Sequence, residues 1–486
     1  MNRWIVLAAA LMCVSCERRV VPLPDAPVVR SRDGLAAMTL AAARGPNGRD
    51  VFVFHRRDVP PAIRIAPGDM LKIHYVNALP VPAEAAIRSG QMNMTNLHFH
   101  GLAVSPQRPE DDVLDMMAMP GQALDYTLAI PRDHLPGLHW YHTHPHGESH
   151  QQVLDGMSGA LIIEGIERYA PAVRNMRERV LVIRATDTGH DPRASARRTR
   201  VQVEQSRCGE SHDEVDRLFT VNGVLRPEMA MRPGERQFWR IVNAASDRYL
   251  DVDVPGLRLE VVAYDGLPIA YHDPEHPTRQ VDHVLLPPAG RVEAIVTAQE
   301  REGRSVLRTR CVDTGADGDP NPGMILADVA STHTASPPPP DPAGAASGTP
   351  PAFALVDVQQ MKREPPLFTA VFTEDKRGFY INGQKFSADA QPMIRAKVGG
   401  YAHWRIVNGT RELHPMHIHQ VHFLPFLEND RPLVDPQWLD TVNVPVGGSV
   451  DVIMDFTDPI IRGMSVFHCH LLNHEDKGMM AKILFE

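Results

Sequence analysis

Four pairs of histidines recur with a single residue between their members: His98/His100, His142/His144, His417/His419 and His468/His470. The last pair brackets Cys469, and His474 and Met479 follow in the stretch HCHLLNHEDKGMM, which runs from His468 to Met480. On a strand, residues i and i+2 point to the same face. Each pair then offers two imidazoles to one side, while Cys469 points to the other. On the Cys469 side, His414 and His474 complete a His2Cys set with Met479 as a long axial thioether, which is the ligand set of a blue-copper electron-transfer site. On the opposite side the eight paired histidines, as neutral imidazoles with open positions, suit a copper cluster that binds oxygen. Strand rise and side-chain reach predict the two centres on the order of 10–15 Å apart. A lone buried histidine is more often a hydrogen-bonded core residue, and one His-x-His is a weak signal. Four such pairs with a cysteine in a ligand-bearing strand are not explained by packing. His139, His146, His150 and His422 have no ligand role in this scheme and are expected to support ligands or lie at the surface.

The elements that must position these residues repeat along the chain. The phrases IRIAPGDMLKIHYVNAL, MAMRPGERQFWRIVNAA and MIRAKVGGYAHWRIVNGT end near Asn77, Asn243 and Asn408, at nearly equal intervals. Each has a Gly-containing turn, an alternating apolar strand and an Asn at the strand end. A second pair, FTVNGVLRP around Asn222 and FYINGQKFS around Asn382, lies about one module apart. The period far exceeds the ~20–50 residues of solenoid units and indicates duplicated domains. Short β-rich runs dense in Pro and Gly imply β-sandwiches. The predicted fold is all-β, with three consecutive sandwiches at 40–167, 168–332 and 353–486. A Pro/Ala linker at 333–352 separates the second from the third, and an N-terminal tail covers 17–39. In the second module the stretch that follows Asn243, AASDRYLDVDV, carries no histidine. The first and third modules are therefore expected to supply the ligands and the middle one only spacing.

The 486 residues suffice for about three domains. Hydrophobic content of 43% supports real cores, and 22% charged content argues against disorder. A net charge of −9 without a basic run disfavours a nucleic-acid partner. The N-terminal MNRWIVLAAALMCVSC is too short to span a bilayer and reads as a secretory signal over residues 1–16. Its Val-Ser-Cys ending resembles a bacterial lipobox, which would make Cys16 a lipid anchor, although Cys13 stands where such signals usually carry Leu. Export to the bacterial periplasm or envelope is expected, with membrane contact only through that anchor. An oxidising compartment would permit Cys208 and Cys311 to pair.

Taken together, His-x-His-Gly, His-x-His, His-Pro-x-His-x-His and His-Cys-His-x3-His-x4-Met resemble the copper motifs of the three-domain bacterial multicopper oxidases, over everything after the leader. The resemblance implies cupredoxin-like Greek-key sandwiches and four copper ions. His414, Cys469, His474 and Met479 would hold the type 1 copper, and His98 and His417 the type 2 copper. His100, His142, His144, His419, His468 and His470 would hold the binuclear type 3 pair. It also implies that four one-electron oxidations are coupled to reduction of dioxygen to water. Glu475 matches an acidic residue that bacterial members use to relay protons, and Asp111 and Asp112 lie on the loop where the family often places another, or are solvated loop carboxylates. HEDKGMM resembles cuprous oxidases and spore-coat laccases. The Met-rich segment of the cuprous oxidases is missing here, since the comparable region is the Met-free Pro/Ala linker. The short clusters Met92/Met94 and Met116/Met117/Met119 read as core filler. The expected donor is a phenol or aromatic amine, with Cu(I) as the alternative. Some members of the fold have lost copper and act as envelope scaffolds, but here all ten histidines and Cys469 are present.

Overall fold

The computed structural model describes residues 20–336, apart from 89 and 188–216, and residues 358–486, apart from 362. The leader, Cys208 and most of the Pro/Ala linker lie outside the described residues. Six sheets form three face-to-face pairs. In the first pair, a five-stranded sheet with the order Val28–Arg30, Ala62–Ile65, Ser158–Ile163, Gly137–His142 and His98–His100 lies against a four-stranded sheet. The four strands are Asp50–Val53, Leu35–Arg44, Met70–Ala78 and Ala123–Ala129. The segment 17–39, expected to be a tail, thus already contains Val28–Arg30 and the start of Leu35–Arg44. The latter alternates exposed and buried residues in the register of a half-buried strand, which places Ala36, Met38, Leu40 and Ala42 in the core.

The repeated asparagines have one structural job. Asn77, Asn243 and Asn408 each close a strand and are essentially fully buried. Each Oδ1 accepts the N–H two residues on, from Leu79, Ala245 and Thr410 respectively, and each Nδ2 donates to two backbone carbonyls. A side chain that satisfies three backbone groups where a ladder ends leaves none of them orphaned. Asn222 and Asn382 are likewise equivalent. Both have φ near +50°, and their Oδ1 atoms accept from Val182 and Val371 in the neighbouring strand. The first sandwich has the same tight turn at Phe54–Arg57, with His55 at φ 48 in place of asparagine. The missing asparagine hid this third copy from the sequence pattern.

In the third sandwich the strand Gly463–Cys469 pairs with His414–Ile418 so that His417 faces His468 and Met416 faces Cys469. In the first, His98–His100 pairs with Gly137–His142, setting His98 opposite His142. The two ligand-bearing sheet edges meet. The ring of His98 stacks on His419 at 3.7 Å and that of His100 on His417 at 3.9 Å. Among the described residues no helix is long and apolar enough to cross a membrane.

Candidate metal centre

The alternation expected around Cys469 is present. Its Sγ lies 3.4 Å from His414 Nδ1 and 3.9 Å from His474 Nδ1, and those two nitrogens are 3.3 Å apart. Donors this close to one another fit a single ion with bonds of about 2.0–2.3 Å to N and S ligands. Met479 is fully buried in the same core, and its carbonyl accepts the Cys469 N–H. Thr410 Oγ1 lies 2.8 Å from His414 Nε2, and Phe379 stacks on His474 at 3.9 Å, so both rings are held from behind. The loop tied down by Asn408 thus delivers a contact directly onto a candidate ligand.

On the other face, the eight paired histidines converge, all buried. Ligand atoms of His98, His100 and His142 lie within 4.8 Å of one another, as do those of His98, His417 and His419, and of His144, His419 and His468. The i,i+2 pairing is strictly a strand feature only for His98/His100. His144, His419 and His470 sit just past the ends of their strands, where the chain turns. His98 Nε2, His100 Nδ1, His142 Nε2, His417 Nε2 and both nitrogens of His470 have no hydrogen-bond partner in the protein. Buried nitrogens without partners are costly and rare, and here they face one another, as donors to a shared set of cations would. Burial, reinforced by neighbouring rings, holds His98, His100 and His144 well below the ordinary imidazole range, and His142 and His417 at about 3. The rings are therefore neutral near neutrality, which is the ligand form.

The outward nitrogens are gripped. His98 Nδ1 donates to Asp111, which also accepts from the Phe99 N–H and from Gln420 Nε2. Asp111 is buried at 1% exposure, so the solvated-carboxylate reading fails for it. Asp112 instead accepts from the N–H groups of Leu114 and Asp115 and from Arg108, and so shapes the loop. Glu475 is buried with Oε2 3.1 Å from His468 Nδ1, Oε1 3.6 Å from His144 Nδ1, and an Oε1 hydrogen bond from Ser149. Burial, with the Asp476 charge adding to it, pushes the Glu475 carboxyl well above the usual range. A cavity of about 290 Å3 lined by His146, Lys385, Phe386, Asp476 and Lys477 opens over Glu475.

The middle sandwich is more than a spacer, contrary to expectation. Arg291, on its strand Arg291–Thr297, forms a bidentate ion pair with Asp440 of the third sandwich. Asp440 in turn touches His100 and His417. Asp247 of the same sandwich pairs with His150 at 3.1 Å, and Tyr249 packs in the third core. His422 reaches the Asp265 carbonyl and His146 packs near Phe386, so both support the site from outside the ligand set. Asp440, Gln420, Arg291 and Ser149 carry no spacing signal in the sequence, because each has a decisive partner in another sandwich: Arg291 with Asp440, Gln420 with Asp111 and Ser149 with Glu475.

A β-sandwich triplet with a His2Cys site and a convergent eight-histidine cluster defines a copper oxidase architecture. Family models described as "Multicopper oxidase" match residues 38–168, 139–327 and 359–486, and the chain belongs to the multicopper oxidase family. It is a copper-dependent oxidoreductase. A multicopper oxidase of Staphylococcus haemolyticus is 22% identical over 93% of this chain and 89% of its own. A Bacillus subtilis laccase is 25% identical over 72% of this chain and 71% of its own. Among solved structures, a multicopper oxidase from Campylobacter jejuni, titled a metallo-oxidase, superposes with a TM-score of 0.68 at 20% identity, covering 96% of this chain and 98% of that one. A variant of the Aquifex aeolicus oxidase McoA gives a TM-score of 0.72 at 18% identity, covering 96% of this chain and all of that one.

Proposed function

We propose that this chain is a laccase-like oxidase of phenols or aromatic amines, with His414, Cys469, His474 and Met479 as the type 1 set. His98 and His417 form the type 2 set, and His100, His142, His144, His419, His468 and His470 the type 3 set. Copper in these sets supplies one-electron oxidation of the donor on the Cys469 side and four-electron reduction of dioxygen to water among the eight histidines. The chain's own residues do the rest. His468 and His470 flank Cys469 in sequence and give the shortest covalent path between the two sides. Glu475 holds a proton within reach of His468 and His144, and the cavity above it gives solvent a route to replace that proton. Asp111 keeps His98 in the tautomer that leaves Nε2 free.

The observation that carries the donor assignment is the recess at His474, lined by Tyr249, Thr314, Glu412, Leu413 and Leu471 among others. No methionine lines it, and thioethers are what a Cu(I) site needs. Met116 packs in the first core and Met92, Met94, Met117 and Met119 are partly buried in the same domain, which supports their reading as filler. Glu412 Oε1 lies 3.3 Å from His474 Nε2, so a polar carboxyl group stands in the recess beside that ring. The relatives include both laccases and a metallo-oxidase, so Cu(I) remains the second reading. Export is supported by the disulfide state of Cys311, since such bonds persist in oxidising compartments. The test is dioxygen uptake by copper-loaded protein with a methoxyphenol against Cu(I) at matched concentration. Faster turnover of the phenol is expected, and faster turnover of Cu(I) would reverse the assignment.

A further inference from the structure

At Asp440 the three sandwiches meet. Arg291 Nη1 and Nη2 donate to the two oxygens of Asp440 at 2.8 and 2.7 Å, and both residues are fully buried. The three remaining guanidinium donors are used too, Nη1 on the Ala289 carbonyl, Nη2 on that of Asp265 and Nε on that of Leu138. The Asp265 carboxylate accepts the backbone N–H of Arg291 through one oxygen and that of Asp440 through the other. Asp440 Oδ1 then lies 3.1 Å from His100 Nε2, and the Asp440 carbonyl accepts from His417 Nδ1 at 2.7 Å. One planar, bidentate clamp thus fixes a carboxylate that also meets the His100 ring and accepts from the Thr441 hydroxyl, while the carbonyl of the same residue holds His417.

The consequence for His100 is specific. His98, His142, His417 and His468 each engage an outer partner through Nδ1. His100 does the reverse. Its Nε2 is taken by Asp440, which leaves Nδ1 as the atom without a partner, directed to the other rings. The glycine of His-x-His-Gly belongs to the same device. Gly101 has φ +85°, and a Cβ there would stand 2.5 Å from Arg291 Nη2 and 2.8 Å from both Asp440 Oδ2 and His139 Nδ1. Only a residue without a side chain lets the clamp close against the His100 strand.

We infer that Arg291, contributed by the domain without copper ligands, is a positioning residue for the cluster: through Asp440 it sets the ring orientation in which His100 presents Nδ1. This rests on the copper reading above. The residues that hold a ligand's outer nitrogen govern metal retention, typically by 10–100-fold. The experiment uses the full-length protein with Arg291→Lys, which keeps the charge but not the fork, and Asp440→Asn, which keeps the shape but not the charge. Copper content per chain, copper retention against a chelator, and the electron paramagnetic resonance of copper outside the type 1 site are compared with the visible thiolate band of the Cys469 site. Roughly tenfold or greater loss of cluster copper with an unchanged thiolate band, in either variant, is expected. Retention equal to wild type in both variants overturns the inference, as does parallel loss of the cluster and the thiolate band, which would mark a purely structural role. Wild-type protein that takes up no copper would instead sink the reading on which it stands.

Discussion

Glu475 shows how burial biases one side chain toward its protonated form. Its carboxyl is buried among His144, His468 and Ser149, and burial, with the Asp476 charge, raises its pKa while the Ser149 hydrogen bond lowers it. Glu475→Gln keeps the shape and removes the acid. A fall in kcat of about 10²-fold or more is expected, the range for loss of a positioned proton donor, with the thiolate band unchanged. Steady-state dioxygen uptake beside the visible spectrum checks this, and an unaltered kcat would remove Glu475 from the proton path. The twelve ligand candidates were legible because metal chemistry demands particular residue types at short spacings, and strand periodicity turns spacing into direction. The residues that aim them were not. Gln420 and Asp440 are ordinary polar residues until the third sandwich lays them against Asp111 and His100, and nothing local marks them.

At the scale of the element, the strand-end asparagines are the clearest translation of sequence into structure. Removing one leaves buried carbonyls and an N–H unpaired, a penalty of about 1–3 kcal/mol. Asn243→Ala should therefore lower stability to denaturant by that amount without touching copper, since its loop carries no ligand. Asn408→Ala should cost the same and also shift the thiolate band, because the loop it anchors carries Thr410 onto His414. Urea unfolding with the visible spectrum separates the two variants, and identical spectra would show that the loop does not position His414. The repeat was readable where a turn kept Asn-Gly. It was unreadable at Phe54–Arg57, where His55 adopts the same left-handed backbone, and at Val28–Arg30, too short and exposed to register as a strand.

For the whole molecule, the cluster is a seam between the first and third sandwiches, and an ion held across a seam stabilises the assembled chain over the separated parts. A ligand bound only by the folded state adds about 2.7 kcal/mol at a hundredfold excess over its Kd. Chelated protein should therefore melt below copper-loaded protein in calorimetry, and coincident transitions would contradict a copper bridge between domains. The same seam has a bearing on biosynthesis. A ribosome delivers the N-terminal domain first, so His98, His100, His142 and His144 emerge and settle long before His417 and His468 have been translated. Until the strand Gly463–Cys469 docks, the four histidines of the first sandwich lack the partners that the third sandwich brings to them. Faithful metallation must then be among the last events in the life of the new chain. Its fidelity depends on where the chain resides when that final strand closes.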